Sequence, residues 1–243
     1  MNLIIDIGNT NAKIAVFDHD NIVEVDTIKT SNIIEGINKF TQKYKDVNRA
    51  IISNVSIRDN HEIKEHLSLQ SVFLSENLKL PFKSLYKSKG TLGSDRIALA
   101  SAVIKHYPNS NVLVIDAGTC ITMDFIDKNS NYHGGSISPG IDMRYSSLSN
   151  YTSNLPELEK THPSDIIGSS TEESIHSGIV NGVIFEIREF ISEYQGNYKD
   201  IKVILTGGDS VFLSKPLKIS IFANQIFLLE GLNFILNLNI NNW

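Results

Sequence analysis

Short apolar runs separated by polar breaks dominate the start of the chain. Leu3-Ile4-Ile5 leads into an acidic turn, an apolar-rich run follows at residues 12–17, and a polar break at 18–21 precedes another run at 22–25. Runs of this length bounded by turn residues are typical of β-strands. The pattern predicts an antiparallel meander of about three strands.

Helical spacing begins after this meander. Ile33, Ile34, Ile37 and Phe40 recur every three or four positions, which predicts a helix over residues 33–45. The same reasoning predicts further helices at residues 57–69, 94–106, 172–194 and 228–236. Apolar runs predict buried strands at residues 49–53 and 202–205.

The order of the first elements occurs twice. A strand, an Asp-x-Gly turn, a second strand, a polar break and a third strand occupy residues 3–25 and again residues 112–137. Two half-chains with matching openings indicate gene duplication. They predict two similar lobes, residues 1–108 and 109–243, with a cleft between them.

Composition narrows the class of protein. The chain has 243 residues, 41% hydrophobic and 20% charged, which is ordinary for globular proteins. Its net charge of -5 argues against a protein that coats nucleic acid or an anionic membrane. The N-terminus lacks the basic region of a signal peptide, and no apolar run approaches the roughly 18 residues of a membrane span. We therefore expect a cytoplasmic protein that binds neither nucleic acid nor membrane.

The first acidic turn, Asp6-Ile7-Gly8-Asn9-Thr10, follows a buried strand. An Asp at the end of a strand can hold Mg²⁺ directly or through water. Gly8 lets the backbone approach a phosphate, while Asn9, Thr10 and the nearby Lys13 offer donors to its oxygens. Alone, the motif is equally compatible with an ordinary hairpin that contains Asx-type turns.

A second copy, Asp116-Ala117-Gly118-Thr119, favours the phosphate-binding interpretation. Two such hairpins facing each other can grip a polyphosphate from both sides, which predicts an ATP-dependent phosphotransferase. A third segment, Leu205-Thr206-Gly207-Gly208-Asp209, also follows a strand. Its glycines suit a close approach of the backbone to an adenosine.

These two phosphate turns and one adenosine turn resemble the actin-like ATPase and sugar kinase superfamily. Tyr86, the segment Gly90-Thr91-Leu92-Gly93-Ser94-Asp95-Arg96 and the segment Gly134-Gly135-Ser136-Ile137-Ser138-Pro139-Gly140 narrow the resemblance to the type III pantothenate kinases. The resemblance extends in the same order from Asp6 to Gly231. It implies an α/β fold of duplicated ribonuclease H-like lobes, each a mixed sheet flanked by helices. It also implies ATP-dependent phosphorylation of pantothenate to 4'-phosphopantothenate, the first step of coenzyme A biosynthesis.

The segment Gly93-Ser94-Asp95-Arg96 also makes chemical sense by itself. At a helix N-terminus its amides favour an anion, and Arg96 can pair with a carboxylate. Asp95 can accept the proton of a hydroxyl that attacks the γ-phosphate. Without the resemblance, a helix start with a surface ion pair is the better interpretation. The resemblance favours Asp95 as the catalytic base.

The resemblance implies the other site residues as well. ATP would bind at Asp6, Ile7, Gly8, Asn9, Thr10, Asn11, Ala12, Lys13 and Thr119. Pantothenate would bind at Tyr86, Gly93, Ser94, Asp95, Arg96 and Thr171, the last supplied by the partner subunit of a homodimer. Mg²⁺ would accompany ATP near Asp6, and Asp116 would bind K⁺ or NH₄⁺. Thr171 is also credible as a helix N-cap, and both roles could hold at once.

Some alternatives remain open from the sequence. Residues 209–212 are larger and more polar than the family pattern leads us to expect, so the adenosine contacts are not defined. The Ser- and Asn-rich residues 146–154 are expected to form a loop near the pocket entrance. The alternative functions are another small-molecule kinase of the superfamily and a non-catalytic regulator, since members of the family were once described as accessory factors for transcription.

Overall fold

The computed structural model describes residues 1–88, 90–218, 221–222 and 226–240. In chain order its strands are β1 (Asn2–Ile7), β2 (Asn11–Asp18), β3 (Asn21–Lys29), β4 (Arg49–Asn54), β5 (Gln70–Phe73), β6 (Lys83–Ser84), β7 (Val112–Ala117), β8 (Cys120–Ile126), β9 (Asn131–Pro139), β10 (Lys202–Thr206) and β11 (Ile221–Phe222). Its helices are α1 (Ile33–Lys43), α2 (Asn60–Glu65), α3 (Ser94–His106), α4 (Ile141–Tyr151), α5 (Thr171–His176), α6 (Gly182–Asn197), α7 (Ser210–Leu217) and α8 (Phe227–Leu238). None of these described helices is long and apolar enough to cross a bilayer.

The chain divides into two compact units. The described residues of Met1–Asn109 and Asn129–Tyr132, together with those from Ile226 onward, form the first unit, and Ser110–Lys128 and His133–Gln225 contain the second. The expected single division after residue 108 places the last helix in the second lobe. In the structure this helix, α8, packs with the first unit, where it contacts α3, β1 and β4.

The first unit is built on a mixed sheet with the strand order β3-β2-β1-β4-β5. The first three strands are antiparallel, as the meander predicted, and β4 and β5 run parallel to β1. Apolar side chains of β1 pack with those of α1 and α2, while α8 also contacts β1. Because both faces of β1 are covered, its sequence is a continuous apolar run rather than an alternating one.

The second unit contains a sheet with the order β11-β10-β7-β8-β9. Strand β8 runs antiparallel to β7, whereas β10 runs parallel to it on the other side and β11 continues the parallel arrangement. The buried core lies between this sheet and residues of α4, α6 and α7. The first residues of β9, Asn131 and Tyr132, belong to the first unit, where they pair with β6.

The two units repeat one arrangement of three strands. In both, the strand that ends at the acidic turn has an antiparallel hairpin partner on one side and a parallel strand on the other. The burial pattern of β1 is identical to that of β7, with Asp6 and Asp116 as the single partly exposed residues. The mixed sheets with flanking helices confirm the predicted fold class of two duplicated α/β lobes.

Some predicted elements differ from the structure. The helix expected over residues 57–69 is reduced to α2, because the Asn54 side chain bonds to Ser56 and Arg58 and holds residues 54–58 in a turn. The expected loop at residues 146–154 is wrong for residues 146–151, which belong to α4, whereas residues 152–154 form no helix or strand. The tail expected to fray from residue 237 is helical to Leu238, where Asn237 Oδ1 accepts a hydrogen bond from Asn2; residues 241–243 of that tail lie outside the described residues.

Candidate active site

The first acidic turn joins β1 to β2. Asp6 is paired directly with Lys13 across the hairpin, and the Gly8 amide donates to the Asn11 carbonyl at 3.1 Å. Thr30 stabilises the turn, because its hydroxyl donates to the Gly8 carbonyl at 2.8 Å. Asn9, Thr10 and Asn11 are exposed, whereas Ile7 and Ala12 are buried. The side chains of this exposed trio are therefore available to a ligand, and Ile7 and Ala12 offer only backbone groups.

Asp6 lies at the centre of a polar network in the first unit. Its partner on the parallel strand β4 is Ser53, which hydrogen-bonds to it. The pKa of the Asp6 carboxyl is raised to about 6. Burial is the largest cause and the negative charge of Asp95 adds to the rise, while the Ser53 hydrogen bond and the charge of Lys13 oppose it. Asp6 and Asp95 are thus electrostatically coupled, as two carboxylates at one reacting centre would be.

Asp95 lies in the first turn of α3. Gly93 is the N-cap of this helix, and Asp95 Oδ1 accepts a hydrogen bond from the Arg96 amide at 2.8 Å. A Cβ atom at position 93 would collide with Asp95 Oδ1, so glycine leaves room for this carboxylate. The Ser94 hydroxyl lies 2.9 Å from the Ser53 hydroxyl, which links the helix start to the end of β4. The segment is therefore fixed both by the helix and by the sheet.

The position of Arg96 differs from that of an exposed side chain that binds the carboxylate of a substrate. Its side chain is buried, at 4% exposure, and its guanidinium carbon lies 5.5 Å from the ring centre of Tyr86 and 6.0 Å from that of Tyr132. Cation–π stacking of this kind favours a fixed ring orientation. Arg96 therefore holds Tyr86 in place, whatever further contact it makes with a substrate.

A pocket of about 910 Å³ adjoins these residues in the first unit. Of the residues that the resemblance assigns to pantothenate, Tyr86, Gly93 and Ser94 line it. The remaining lining comes mostly from the ends of β4 and β5 and from the loop before α3, and comprises Asn54, Val55, Leu74, Ser75, Glu76, Asn77, Ser84, Gly90, Thr91, Leu92 and Ile97. A small polar molecule of the size of pantothenate fits such a volume.

The second acidic turn joins β7 to β8 in the second unit. The Gly118 amide donates to the Cys120 carbonyl at 2.9 Å, and Thr119 is exposed at the tip. The Gly140 amide, at the end of the Gly134–Gly140 motif, donates to the Thr119 carbonyl at 3.0 Å. Two motifs that are separate in the sequence therefore meet at this turn.

The glycine turn after β10 packs against the same place. Gly207 adopts a left-handed conformation with φ of 95°, and a Cβ atom there would collide with the Ala117 carbonyl and the Asp116 carboxylate. The Asp209 amide donates to the Ala117 carbonyl at 2.8 Å. The backbone of residues 207–209 thus lies directly against the second acidic turn.

Residues 209–212, which depart from the expected pattern, are covered by the segment after α4. Lys160 Nζ lies 2.6 Å from Asp209 Oδ1 and 3.1 Å from Asp142 Oδ2. The His162 ring stacks on Phe212 with centres 3.8 Å apart. Asp209 and Phe212 therefore have partners within the second unit, which accounts for the charge of the first and the size of the second.

Comparison with known proteins shows the family. The model of the type III pantothenate kinase family matches residues 2–193. A type III pantothenate kinase from Christiangramia forsetii is 45% identical over 242 residues, which cover 98% of this chain and 99% of that protein. The chain belongs to the type III pantothenate kinase family.

Solved structures agree with the fold. The crystal structure of a Campylobacter jejuni protein assigned to the Baf family of transcriptional activators is 26% identical, with a TM-score of 0.65, and the match covers 98% of this chain and 99% of that one. A glucokinase from an Antarctic psychrotroph has a TM-score of 0.53 at 12% identity, with 97% and 98% coverage. The second likeness concerns the fold alone, which is that of the sugar kinases.

Thr171 is the one predicted pantothenate residue in the second unit. It is the first residue of α5 and is exposed, and the N-cap is its neighbour Ser170, whose hydroxyl accepts from the Glu173 amide. It lines another pocket, of about 850 Å³, together with residues of α4, α5 and the preceding loop. Thr171 is thus free of the capping role that the sequence left open for it.

Two site residues were missed by sequence reasoning. Ser53 bonds both Asp6 and Ser94, and Glu76 bonds the loop that lines the pocket. A signal for Ser53 existed in the repeat, because the second unit has Thr206 at the equivalent place, paired with Asp116 on the parallel strand. Glu76 lies in a polar stretch without a motif, and no sequence signal distinguishes it.

Proposed function

We propose that this member of the type III pantothenate kinase family transfers the γ-phosphoryl group of ATP to pantothenate, in the cytoplasm, and releases 4'-phosphopantothenate and ADP. The observation that carries the proposal is the pocket lined by Tyr86, Gly93 and Ser94, next to a helix start that carries Asp95. A carboxylate beside a pocket for a small hydroxyl compound has the place that phosphoryl transfer requires of a base.

Asp95 is the base in this proposal. Its carboxylate accepts the proton of the pantothenate hydroxyl as the hydroxyl oxygen bonds to the γ-phosphorus, and the bond from that phosphorus to the ADP oxygen breaks. The coupling between Asp95 and Asp6 supports this placement, since it puts the base near the turn assigned to the phosphates. Tyr86, Gly93, Ser94 and Arg96 bind or orient the pantothenate.

The nucleotide is assigned to the two acidic turns. The backbone of Asp6 to Lys13 and the exposed side chains of Asn9, Thr10 and Asn11 supply donors to phosphate oxygens, with the Lys13 ammonium as a counter-charge. Thr119 supplies a further contact from the tip of the second turn. The identical strand arrangement around both turns supports a shared task.

Two cations are part of the proposal. The partly exposed Asp6 carboxyl, whose pKa is raised, would be stabilised in its ionised form by a bound Mg²⁺, which prefers oxygen ligands. At the second turn, the partly exposed Asp116 carboxylate at the end of β7 is assigned to K⁺ or NH₄⁺. When bound, the two cations would offset the negative charge of the transferring phosphates.

The proposal also includes a homodimer in which Thr171 contributes to the partner's pantothenate site. Its support in this chain is a set of exposed apolar side chains on α4 and α6 of the second unit: Met143 at 44%, Phe185 at 49% and Phe190 at 37% exposure. In the proposed dimer such side chains would be covered by the partner subunit. Light scattering at several concentrations would measure the mass; a monomer that turns over at full rate contradicts this part of the proposal.

A coupled assay of ADP release tests the function. We expect ADP release to require pantothenate and Mg²⁺, and to be faster in K⁺ or NH₄⁺ than in Na⁺ at equal ionic strength. Asp116→Asn should remove the difference between K⁺ and Na⁺. If pantothenate does not stimulate ADP release but another small alcohol does, the chain is a different kinase of this fold. If nothing does, a regulatory role gains support.

A further inference from the structure

The Glu76 carboxylate accepts hydrogen bonds from backbone amides in the wall of the pocket. Glu76 Oε2 accepts a hydrogen bond from the Gly90 amide at 3.1 Å, and Oε1 accepts one from the Leu92 amide at 3.4 Å. Glu76, Gly90 and Leu92 all line the pocket in the first unit. The Glu76 side chain therefore holds two amides, two residues apart, in the loop that leads into Gly93.

Glu76 is itself on a fixed support. The chain leaves β5 through Leu74, whose amide donates to the Ile52 carbonyl of β4 at 2.8 Å. After a turn, the Lys79 amide and carbonyl both bond to the Asn239 side chain at 3.0 Å. The segment that carries Glu76 is thus tied to the central sheet at one end and to the last helical region at the other.

Among the described residues of the loop that Glu76 binds, the part next to the clamp has few hydrogen bonds of its own. Leu85 and Tyr86 are held by the Tyr132 carbonyl and by Arg96, whereas residues 90–92 form no helix or strand, and Gly90 adopts a left-handed φ of 79°. Thr91 bonds only locally, from its amide and hydroxyl to the Ser88 carbonyl. Because a loop without regular hydrogen bonds is readily displaced, the Glu76 carboxylate determines where this wall of the pocket lies.

We infer that Glu76 is a positioning residue for substrate binding: its carboxylate clamps the amides of Gly90 and Leu92 and so sets the shape of the pantothenate pocket. The inference rests on the proposed function of that pocket. Asp95 has separate supports, namely α3 and the contact between Ser94 and Ser53. Loss of the clamp therefore weakens binding in the ground and transition states alike, which raises KM and leaves kcat nearly unchanged.

Two substitutions test the clamp by steady-state kinetics. Glu76→Gln keeps the size but has one acceptor oxygen, so its amide group would face one of the two N–H donors. Glu76→Asp keeps the charge but is one methylene too short to reach both amides. We expect each to raise the KM for pantothenate at least about fivefold, with kcat and the KM for ATP changed less than about twofold. Glu65→Gln, on α2 with an exposed side chain, is the matched control and should leave all three constants unchanged.

Some kinetic results would contradict the clamp. An unchanged KM in Glu76→Gln, or a wild-type KM in Glu76→Asp, overturns the inference, as does a fall in kcat without a rise in KM. Hydrogen exchange provides a measurement that needs no turnover: the peptide with Gly90 and Leu92 should exchange faster in Glu76→Gln than in wild type or Glu65→Gln. Equal exchange rates would refute the clamp. If the exchange is faster in Glu76→Gln but the wild-type protein has no activity with pantothenate, the proposed function is refuted and the clamp is not.

Discussion

Ser53 Oγ lies 2.9 Å from Ser94 Oγ, and this contact connects the end of a sheet strand to the first residue of a helix. Ser53 also bonds Asp6. The first acidic turn and the helix that carries Asp95 are therefore held by one small side chain. A shift of either element would change the distance between the proposed nucleotide turn and the proposed base, and catalytic rates are sensitive to displacements of about 1 Å.

Asp95→Asn should abolish most of the turnover and preserve the fold. The Asn side chain can still accept the hydrogen bond from the Arg96 amide, so the start of α3 is kept. It cannot accept a proton from the pantothenate hydroxyl, and general-base catalysis contributes about 10²- to 10⁴-fold to rates. We expect kcat to fall at least about 100-fold, with KM values and the melting temperature nearly unchanged, in the coupled ADP assay.

The matched control for this variant is Asp46→Asn, which removes a carboxylate from an exposed position of the same unit. It should have wild-type kinetics. Near-wild-type kcat in Asp95→Asn would contradict the base assignment.

The apolar pattern was sufficient for the elements whose residues are buried by the sheet. It predicted β1, β4 and α3 closely because β1 and β4 are covered on both faces and α3 is buried on all sides over residues 96–103. It failed at α2, where polar side chains of residues 54–58 decide the start. The helix α4 was missed because its Ser and Asn residues carry no periodic apolar signal, and only Ile141 and Tyr145 are buried.

The site was predictable where a motif carries it and not where the tertiary structure creates it. The acidic turns and the segment before Arg96 are contiguous in sequence. Ser53 acts through partners on β1 and α3, and the second of these is 41 positions away. The burial that raises the pKa of Asp6 likewise depends on the packing of the whole sheet. The only sequence signal for Ser53 is the equivalent Thr206 of the repeat, and the burial of Asp6 has none.

Asp6→Asn should stabilise the free protein in a pH-dependent way. The folded-state pKa of about 6 lies above the ordinary aspartate pKa of 3.8, so the folded state binds the proton more tightly. Stability from this group is therefore fully present below about pH 4 and is lost as pH rises through about 6. At about 1.4 kcal/mol per pKa unit, the loss is up to about 3 kcal/mol. Since Asn is never ionised, the variant avoids this loss.

Thermal unfolding without ligands measures the effect. The melting temperature of Asp6→Asn minus that of wild type should be more positive at pH 8 than at pH 4 by several degrees, at about 2–4 °C for each kcal/mol in a chain of this size. The same variant should lose most of its activity, because a cation would have lost its carboxylate. An equal difference at both pH values would show that burial does not raise this pKa.

Gly93→Ala should impair catalysis more than stability. The added methyl group would collide with Asp95 Oδ1, which is the end of a side chain and can move aside. The fold then tolerates the change, but the base is displaced. We expect kcat to fall at least about tenfold with a change in melting temperature below about 2 °C. Gly196→Ala in α6, where a Cβ meets no atom within 4 Å, is the control and should keep wild-type kcat. A Gly93→Ala enzyme with wild-type kcat would show that the position of Asp95 is not critical.

Gly207 and Gly208 form a matched pair at the third turn. At Gly207 a side chain would be strained by the φ of 95° and would collide with the Ala117 carbonyl and the Asp116 carboxylate, whereas at Gly208 it would meet no atom within 4 Å. A residue forced into such a conformation costs about 1–3 kcal/mol. Gly207→Ala should therefore lower the melting temperature by at least about 4 °C and raise the KM for ATP, because Asp116 and the second acidic turn are pushed away.

Gly208→Ala should change the melting temperature by less than about 2 °C. A small effect on the KM for ATP in Gly208→Ala would mean that only the packing of Gly207 against the turn matters. A large effect on that KM at unchanged stability would instead place the adenosine against the backbone of residue 208. Equal destabilisation by both variants would contradict the close approach of Gly207 to Asp116, since that contact is what distinguishes the two positions.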